Sequence, residues 1–255
     1  MRITSVTNPR IKELVRLRTD SAARRESGLF CVESLRELHR AQARGFKIEE
    51  VYHCPELLRG ELHAGPVVEV SEPVLRKLAY RENPEGFVAV LRSPSRTLND
   101  VRWDGRELLI VCSGVEKPGN IGAILRSADA AGITAVLIDS PTFDLYNPNC
   151  IRSSTGAVFS MTVVCTDRPS IAAALRDHGV RVIAATPQAP NLYTQTDLRP
   201  PCAIVLGAEA AGLDPFWRDT AELAVQIPQR GSVDSLNVSV TAALLMFEAV
   251  RQRTT

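Results

Sequence analysis

From Glu107 onward the apolar residues come in short unbroken runs, ELLIVC, AVLID, MTVVC, RVIAA, CAIVLG and AELAVQI, rather than in alternation with polar ones. A strand that alternates keeps one face in water, whereas an unbroken run is buried on both faces. This half of the chain therefore predicts an α/β fold, a mostly parallel sheet covered by helices on each side. The intervening stretches GNIGAILRSADAAG, NCIRSSTGA, SIAAALRDHG and NVSVTAALLMFEAVRQR read as the covering helices. In such a sheet ligands lie beyond the carboxyl ends of the strands, so the informative loops are those that follow strands.

The first hundred residues alternate helical and strand patterns more loosely: IKELVRLR, LFCVE, SLRELHRAQARG, IEEVYHC, VVEVS, EPVLRKLAY and FVAVL. This predicts a smaller α/β domain over residues 1–95, with one helix opening at Ser34 and stopping at Gly45. A polar, turn-rich stretch follows, and the linker is placed at 96–106, leaving 107–255 as the second domain. Residues 1–48 carry 11 Lys and Arg against 5 Asp and Glu, on a chain whose net charge is only +1. A basic end on a mildly acidic body suits a polyanionic partner, although a solvated helix face explains it equally well.

Six cysteines without a CxxC pair, with only four histidines, predict neither a structural metal nor a disulfide framework. No apolar run approaches the roughly 18 to 20 residues that span a bilayer, and no apolar signal core follows the N-terminus, so the chain reads as cytoplasmic. Neither GxxxxGK[ST] nor GxGxxG occurs, which disfavours P-loop nucleotide hydrolysis and nicotinamide chemistry.

Three loops follow strands. In VEKPGNIGAILRSADAAGI, Pro118, Gly119 and Asn120 turn into a helix on which Arg126 is a lone cation among Ile121, Ala123, Ile124, Leu125 and Ala128, and so calls for an anionic partner. In LGAEAAGL, Gly207 permits a tight turn at a strand end, Glu209 places a carboxylate there and Gly212 ends the excursion. In IPQRGSVDSLNVSVTAALLMFE, Pro228 closes a strand, and Ser235 or Asn237 can cap the long C-terminal helix. Three polar loops at three strand ends make a pocket the working hypothesis.

At these loops the chain resembles the SpoU, or TrmH-type, RNA 2′-O-ribose methyltransferases of the SPOUT class. EKPGNIGAILRSADAAG is similar to the first motif of that family, LGAEAAGL to the second and IPQRGSVDSLNVSVTAALLMFE to the third, in the family's order and spacing across 107–255. The first domain resembles the L30e-like substrate-binding domain of these enzymes, with FCVES standing where relatives often read VEG, so that Ser34 replaces a glycine.

The resemblance implies a trefoil-knotted sheet whose second and third motif loops wrap S-adenosylmethionine, with Thr186, Leu206, Gly207, Ile227, Pro228 and Leu236 around the cofactor. It implies a catalytic set of Arg126, Asn120, Glu209, Ser235 and Asn237, in which Arg126 serves the ribose 2′-hydroxyl. It also implies a homodimer, with the C-terminal helix as a candidate interface, and an RNA substrate, rRNA before tRNA. Capture of RNA phosphates falls to Arg10, Lys12, Arg16, Arg24 and Arg25, with Arg2 and Arg18 beside them. The rival from another class is a non-catalytic RNA-binding protein that retained the cofactor fold.

Overall fold

The computed structural model describes residues 2–62, 65–208, 212–232 and 235–254. The chain divides into two units, Met1–Ser95 with Asp144–Ser160, and Arg96–Phe143 with Met161–Thr255.

The first unit runs β1 (Arg2–Ile3), α1 (Pro9–Thr19), α2 (Ser21–Ser27), β2 (Leu29–Val32), α3 (Leu35–Ala43), β3 (Ile48–His53), β4 (Val67–Val70), α4 (Glu72–Leu78) and β5 (Phe87–Arg92). Its sheet has the order β1-β4-β3-β5-β2, antiparallel only where β5 pairs with β2 and β3. Ile11, Leu14 and Leu17 on one face of α1 pack with Val74, Leu75 and Leu78 of α4 in its core, as the spacing of IKELVRLR requires. α2 was not foreseen, because SAARRES has no apolar stripe; Asp20 starts it by accepting from the Ala22 amide at 2.8 Å, and Gly28 ends it at φ +64°. Ser34 stands at the N-cap of α3 with extended backbone, φ −128°, a conformation open to any residue, so serine fits where relatives carry glycine. Its hydroxyl makes no capping bond.

The second unit begins inside the stretch read as a linker. A short 3₁₀ turn at Leu98–Asp100 leads to Val101, buried in the core, and Trp103 stacks on His178 with ring centroids 4.1 Å apart. Three apolar residues over six positions, Leu98, Val101 and Trp103, were too few to register as a pattern, yet they pack on the core and tie the segment down. The unit continues with β6 (Leu108–Cys112), α5 (Pro118–Ala131) and β7 (Ala135–Ile138). The next two helices, α6 (Pro148–Ser153) and α7 (Ala157–Ser160), belong to the first unit. There follow β8 (Val163–Cys165), α8 (Arg168–Asp177), β9 (Arg181–Ala185), β10 (Asn191–Leu192), β11 (Cys202–Leu206), α9 (Pro215–Thr220), β12 (Leu223–Gln226) and α10 (Val238–Thr254).

The seven strands are all parallel in the order β10-β12-β9-β11-β6-β7-β8. The expectation of a parallel sheet read from the unbroken apolar runs is met, and β6, β7 and β11 are buried at every residue. Leu109, Val111, Leu137, Ile171, Leu175 and the fully buried Trp217 share one core, while α10 packs along α5. No helix among the described residues is long and apolar enough to cross a membrane.

The segment Asp144–Ser160 places Tyr146 and Phe159 against Phe30 and Phe46: Tyr146 stacks on Phe30 at 4.3 Å and Phe159 meets Phe46 edge-on at 5.2 Å. Asp144 meets Arg24, whose Nε donates to both carboxylate oxygens at 3.0 and 3.1 Å.

Candidate active site

Three adjacent strands, β12, β9 and β11, end side by side, and their carboxyl ends open into a cavity of about 610 Å³. This is within the size range of small-molecule sites. Ala185 and Thr186 come from the end of β9, Leu206 and Gly207 from β11, Ile227 from beyond β12, and Ser235, Leu236, Thr241 and Leu245 from the third loop and α10. The strand-end placement follows from parallel topology: every strand delivers its carboxyl end to the same edge.

Gly207 is obligatory for a steric reason. A Cβ at this position would lie 2.5 Å from the carbonyl carbon and oxygen of Gly212, because Ala208 and Gly212 exchange backbone hydrogen bonds of 2.9 Å that close the second loop on itself. Gly212 lies at φ +68°, which glycine adopts without strain.

Of the residues expected at the cofactor, Thr186, Leu206, Gly207, Ile227 and Leu236 line the cavity, while Pro228 is exposed and outside the lining, between Ile227 and Gln229, which are in it. Ser235 lines the cavity too. Asn237 caps α10 through its Oδ1, which accepts from the Ser239 amide at 2.9 Å, and its Nδ2 donates to Asn120 Oδ1 at 3.2 Å. That bond joins the third loop to the start of α5, so Asn120 and Asn237 are brought together across 117 residues of sequence. Glu209 lies outside the described residues.

Arg126 lies at the surface on α5, does not line the cavity, and has no hydrogen bond or ion pair among the described residues. The helix turns its small residues inward, with Ile121, Ile124, Leu125 and Ala128 buried, and this carries Arg126 outward.

Sequence reasoning missed α9 and with it Arg218, the one charged side chain among the described residues lining the cavity. Asp214 caps this helix, accepting from the Phe216 amide at 2.9 Å, and Pro215 is its first residue; Asp-Pro at a helix start was the available signal. Arg218 Nε donates to the Leu213 carbonyl at 2.8 Å, which fixes the guanidinium at the rim. A buried network anchors this wall. The Asp139 carboxylate, 2% exposed, accepts from Trp217 Nε1 at 2.9 Å, Arg168 Nε at 2.8 Å and the Gly114 amide at 3.2 Å, while Arg168 also meets Asp214 at 2.8 Å. A buried carboxylate with that many donors locks the loop after β6 to α8 and α9.

The donor set suits S-adenosylmethionine. Leucine and isoleucine walls accept a flat base, Thr186, Gln188, Gln229 and Ser235 offer hydrogen bonds, and Arg218 supplies a cation for a carboxylate. Among the described residues no group of His, Cys, Asp and Glu could hold a metal ion.

On the first unit, Arg24 is corrected. Its side chain is 5% exposed and paired with Asp144, and Nη1 also bonds the Leu17 carbonyl, so it cannot face phosphate. Arg10 is paired with Glu50 and sits 5.5 Å over the Tyr52 ring, while Arg2 meets Glu56 and Glu69. Arg18 donates to the Lys77 and Ala79 carbonyls at 2.9 and 2.6 Å. Lys12, Arg16 and Arg25 remain exposed. Phe30, Phe46 and Tyr52 are buried.

Comparison with known proteins agrees with this geometry. The model of the SpoU rRNA Methylase family matches residues 107–247, and that of the MRM3-like substrate binding domain matches residues 8–89. The 23S rRNA (guanosine-2′-O-)-methyltransferase RlmB of Ralstonia nicotianae is 38% identical over 184 residues, 70% of this chain and 74% of that protein. A crystal structure of an RNA 2′-O ribose methyltransferase superposes with a TM-score of 0.88 at 45% identity, covering 100% of both chains. The AdoMet-bound rRNA methyltransferase of Sinorhizobium meliloti superposes with a TM-score of 0.89 at 30% identity over 98% of this chain and 97% of that one. With the family model spanning more than half of its length and the cavity at the strand ends lined by the second and third motif loops, this chain belongs to the SpoU rRNA methylase family.

Proposed function

We propose that the protein transfers the methyl group of S-adenosylmethionine to a ribose 2′-hydroxyl of ribosomal RNA in the cytoplasm. The observation that carries this reading is the cavity at the ends of β9, β11 and β12, lined by both motif loops and adjoined by the Asn120–Asn237 bond. rRNA is favoured over tRNA because several similar proteins that span most of the chain, first domain included, are named for 23S rRNA. Purified protein incubated with S-adenosylmethionine and separate pools of unmodified rRNA and tRNA yields 2′-O-methylnucleosides from the rRNA pool alone, read by digestion and mass spectrometry. Methylribose from tRNA only overturns the substrate assignment.

The bound cofactor supplies an activated methyl, so the task left to the protein is to position and deprotonate a poor nucleophile. Holding the hydroxyl in line with the methyl contributes up to about 7 to 11 kcal/mol. An arginine side chain does not give up its proton in proteins. Arg126 therefore acts as an orienting cation that makes the hydroxyl more acidic, and the proton passes to a neighbouring RNA phosphate. Asn120 and Asn237 hold the sugar edge, and Ser235 keeps the third loop in place. The second and third loops form the trefoil knot of this class, and the first unit is its L30e-like RNA-capture domain, with Lys12, Arg16 and Arg25 toward phosphates.

The site is shared in a homodimer. Arg126 lies outside the cavity of its own chain, and α10 exposes Val240, Leu244 and Phe247 at 47%, 39% and 48%, an i, i+4, i+7 stripe that no described residue covers. Phe247→Glu gives a monomer by light scattering that binds S-adenosylmethionine but transfers no methyl. A fully active monomer contradicts the shared site.

Arg218 would hold the methionyl carboxylate of a bound S-adenosylmethionine. Arg218→Met weakens S-adenosylmethionine by about 10-fold or more, the loss expected when a charged hydrogen bond of roughly 1.5 to 3 kcal/mol is removed. Calorimetric affinity for 5′-methylthioadenosine, which has no carboxylate, stays unchanged. Equal losses for both ligands remove Arg218 from this role.

A further inference from the structure

Two carboxylates that methyl transfer does not use are buried in the first unit: Glu33 is 7% and Glu37 2% exposed. Burying a carboxylate is costly unless donors surround it, and here the donors all come from one loop. Glu33 accepts from the Tyr80 amide at 2.5 Å and the Arg81 amide at 3.1 Å. Arg81 reaches Glu37 at 2.9 Å and Glu85 at 3.7 Å, and Glu85 accepts from the Leu35 amide at 2.9 Å. Burial pushes the Glu33 and Glu37 carboxyls above their ordinary range, and the amides and Arg81 pull them back. Gly86 closes the loop at φ +93°, where a Cβ would lie 2.2 Å from Leu58 Cα.

What this network holds in place is residues 80–86, and at their start stands Tyr80, 44% exposed. It is the one exposed aromatic of this unit among the described residues; Phe30, Phe46, Tyr52, Phe87 and Phe159 are buried and Tyr146 is half-buried. Beside it, Arg81 and the exposed Arg152 line the same small recess. The Tyr80 backbone is thus held by a buried, hydrogen-bonded carboxylate while its ring faces solvent.

We propose that Tyr80 is a stacking platform for one unpaired base of the RNA substrate, with Arg152 toward the adjoining phosphate. Every base offers a π-face, so a tyrosine beside a cation binds single-stranded RNA with little sequence preference. The Glu33 clamp makes Glu33 a positioning residue: it removes the ordering cost that a mobile tyrosine would incur on binding. The inference rests on the RNA methyltransferase reading and adds where an unpaired base is held.

The test is fluorescence anisotropy of the full-length protein with labelled single-stranded and duplex oligoribonucleotides. Tyr80→Ala weakens single-strand binding by about 10-fold or more, leaves the slope of affinity against salt unchanged because no charge is lost, and raises KM for rRNA with kcat intact. Tyr80→Phe restores binding, and Tyr80→Trp shows emission quenched by RNA. Glu33→Gln weakens binding in the presence of Tyr80 and adds little to Tyr80→Ala. Wild-type affinity in Tyr80→Ala, or a salt slope that falls with affinity, overturns the platform. So does unchanged RNA binding with lost binding to ribosomal particles, which makes Tyr80 a protein contact. A protein that binds RNA through Tyr80 yet transfers no methyl refutes the enzymatic reading and leaves the platform standing.

Discussion

Arg126→Ala lowers methyl transfer by about 10²- to 10⁴-fold, the span expected when a positioned group that assists proton removal is lost, and leaves S-adenosylmethionine affinity nearly unchanged. The separation follows from geometry: Arg126 does not line the cavity and has no bond within the described chain, so its removal disturbs neither the pocket nor the fold. An exposed, unbonded side chain changes stability little when truncated, within about 0.5 kcal/mol. Lysine does not restore the rate, because a compact ammonium cannot engage the hydroxyl and an adjoining phosphate with a planar fork. Single-turnover methylation alongside calorimetric cofactor binding reads both quantities. Equal losses in the two make Arg126 a structural residue and remove it from the reaction.

The second large effect is on stability. Asp144→Ala is expected to destabilise the protein by about 3 to 5 kcal/mol, because it leaves the Arg24 guanidinium buried without a countercharge. Arg24 is 5% and Asp144 15% exposed in side chain, and Asn147 donates to the same carboxylate at 3.3 Å. The double variant Arg24→Met with Asp144→Leu loses much less than either truncation alone, since the pair's own attraction is largely offset by desolvation. Urea denaturation of the wild type, Arg24→Met, Asp144→Leu and the double variant closes the cycle. Additive single losses below about 1 kcal/mol, the level of an exposed pair, contradict the buried-pair account.

That pair also marks where sequence reading stops. β6, β7, β9 and β11 were legible because an unbroken apolar run says that both faces are covered, whereas Thr186, Leu206, Gly207 and Ile227, which line the cavity, were named by the family resemblance and not by the strand pattern. Nothing local distinguishes Arg24 from its exposed neighbour Arg25; only a carboxylate 120 residues away decides which is buried. The segment 144–160 was read with the second domain by sequence order alone, and its place in the first unit depends on Tyr146 and Phe159 meeting Phe30 and Phe46. Arg218 was hidden in a six-residue helix too short to show periodicity. Tyr80 was hidden because exposure is a tertiary property, and Arg126 stood out for its apolar neighbours although the helix turns it to water.

The central claim is that the methyl goes to a ribose oxygen of rRNA. The direct measurement transfers labelled methyl from S-adenosylmethionine to unmodified rRNA and then hydrolyses the RNA in alkali. A 2′-O-methyl group blocks cleavage at its own phosphodiester, so the account expects the label in alkali-stable dinucleotides. Label recovered in mononucleotides places the methyl on a base and contradicts it.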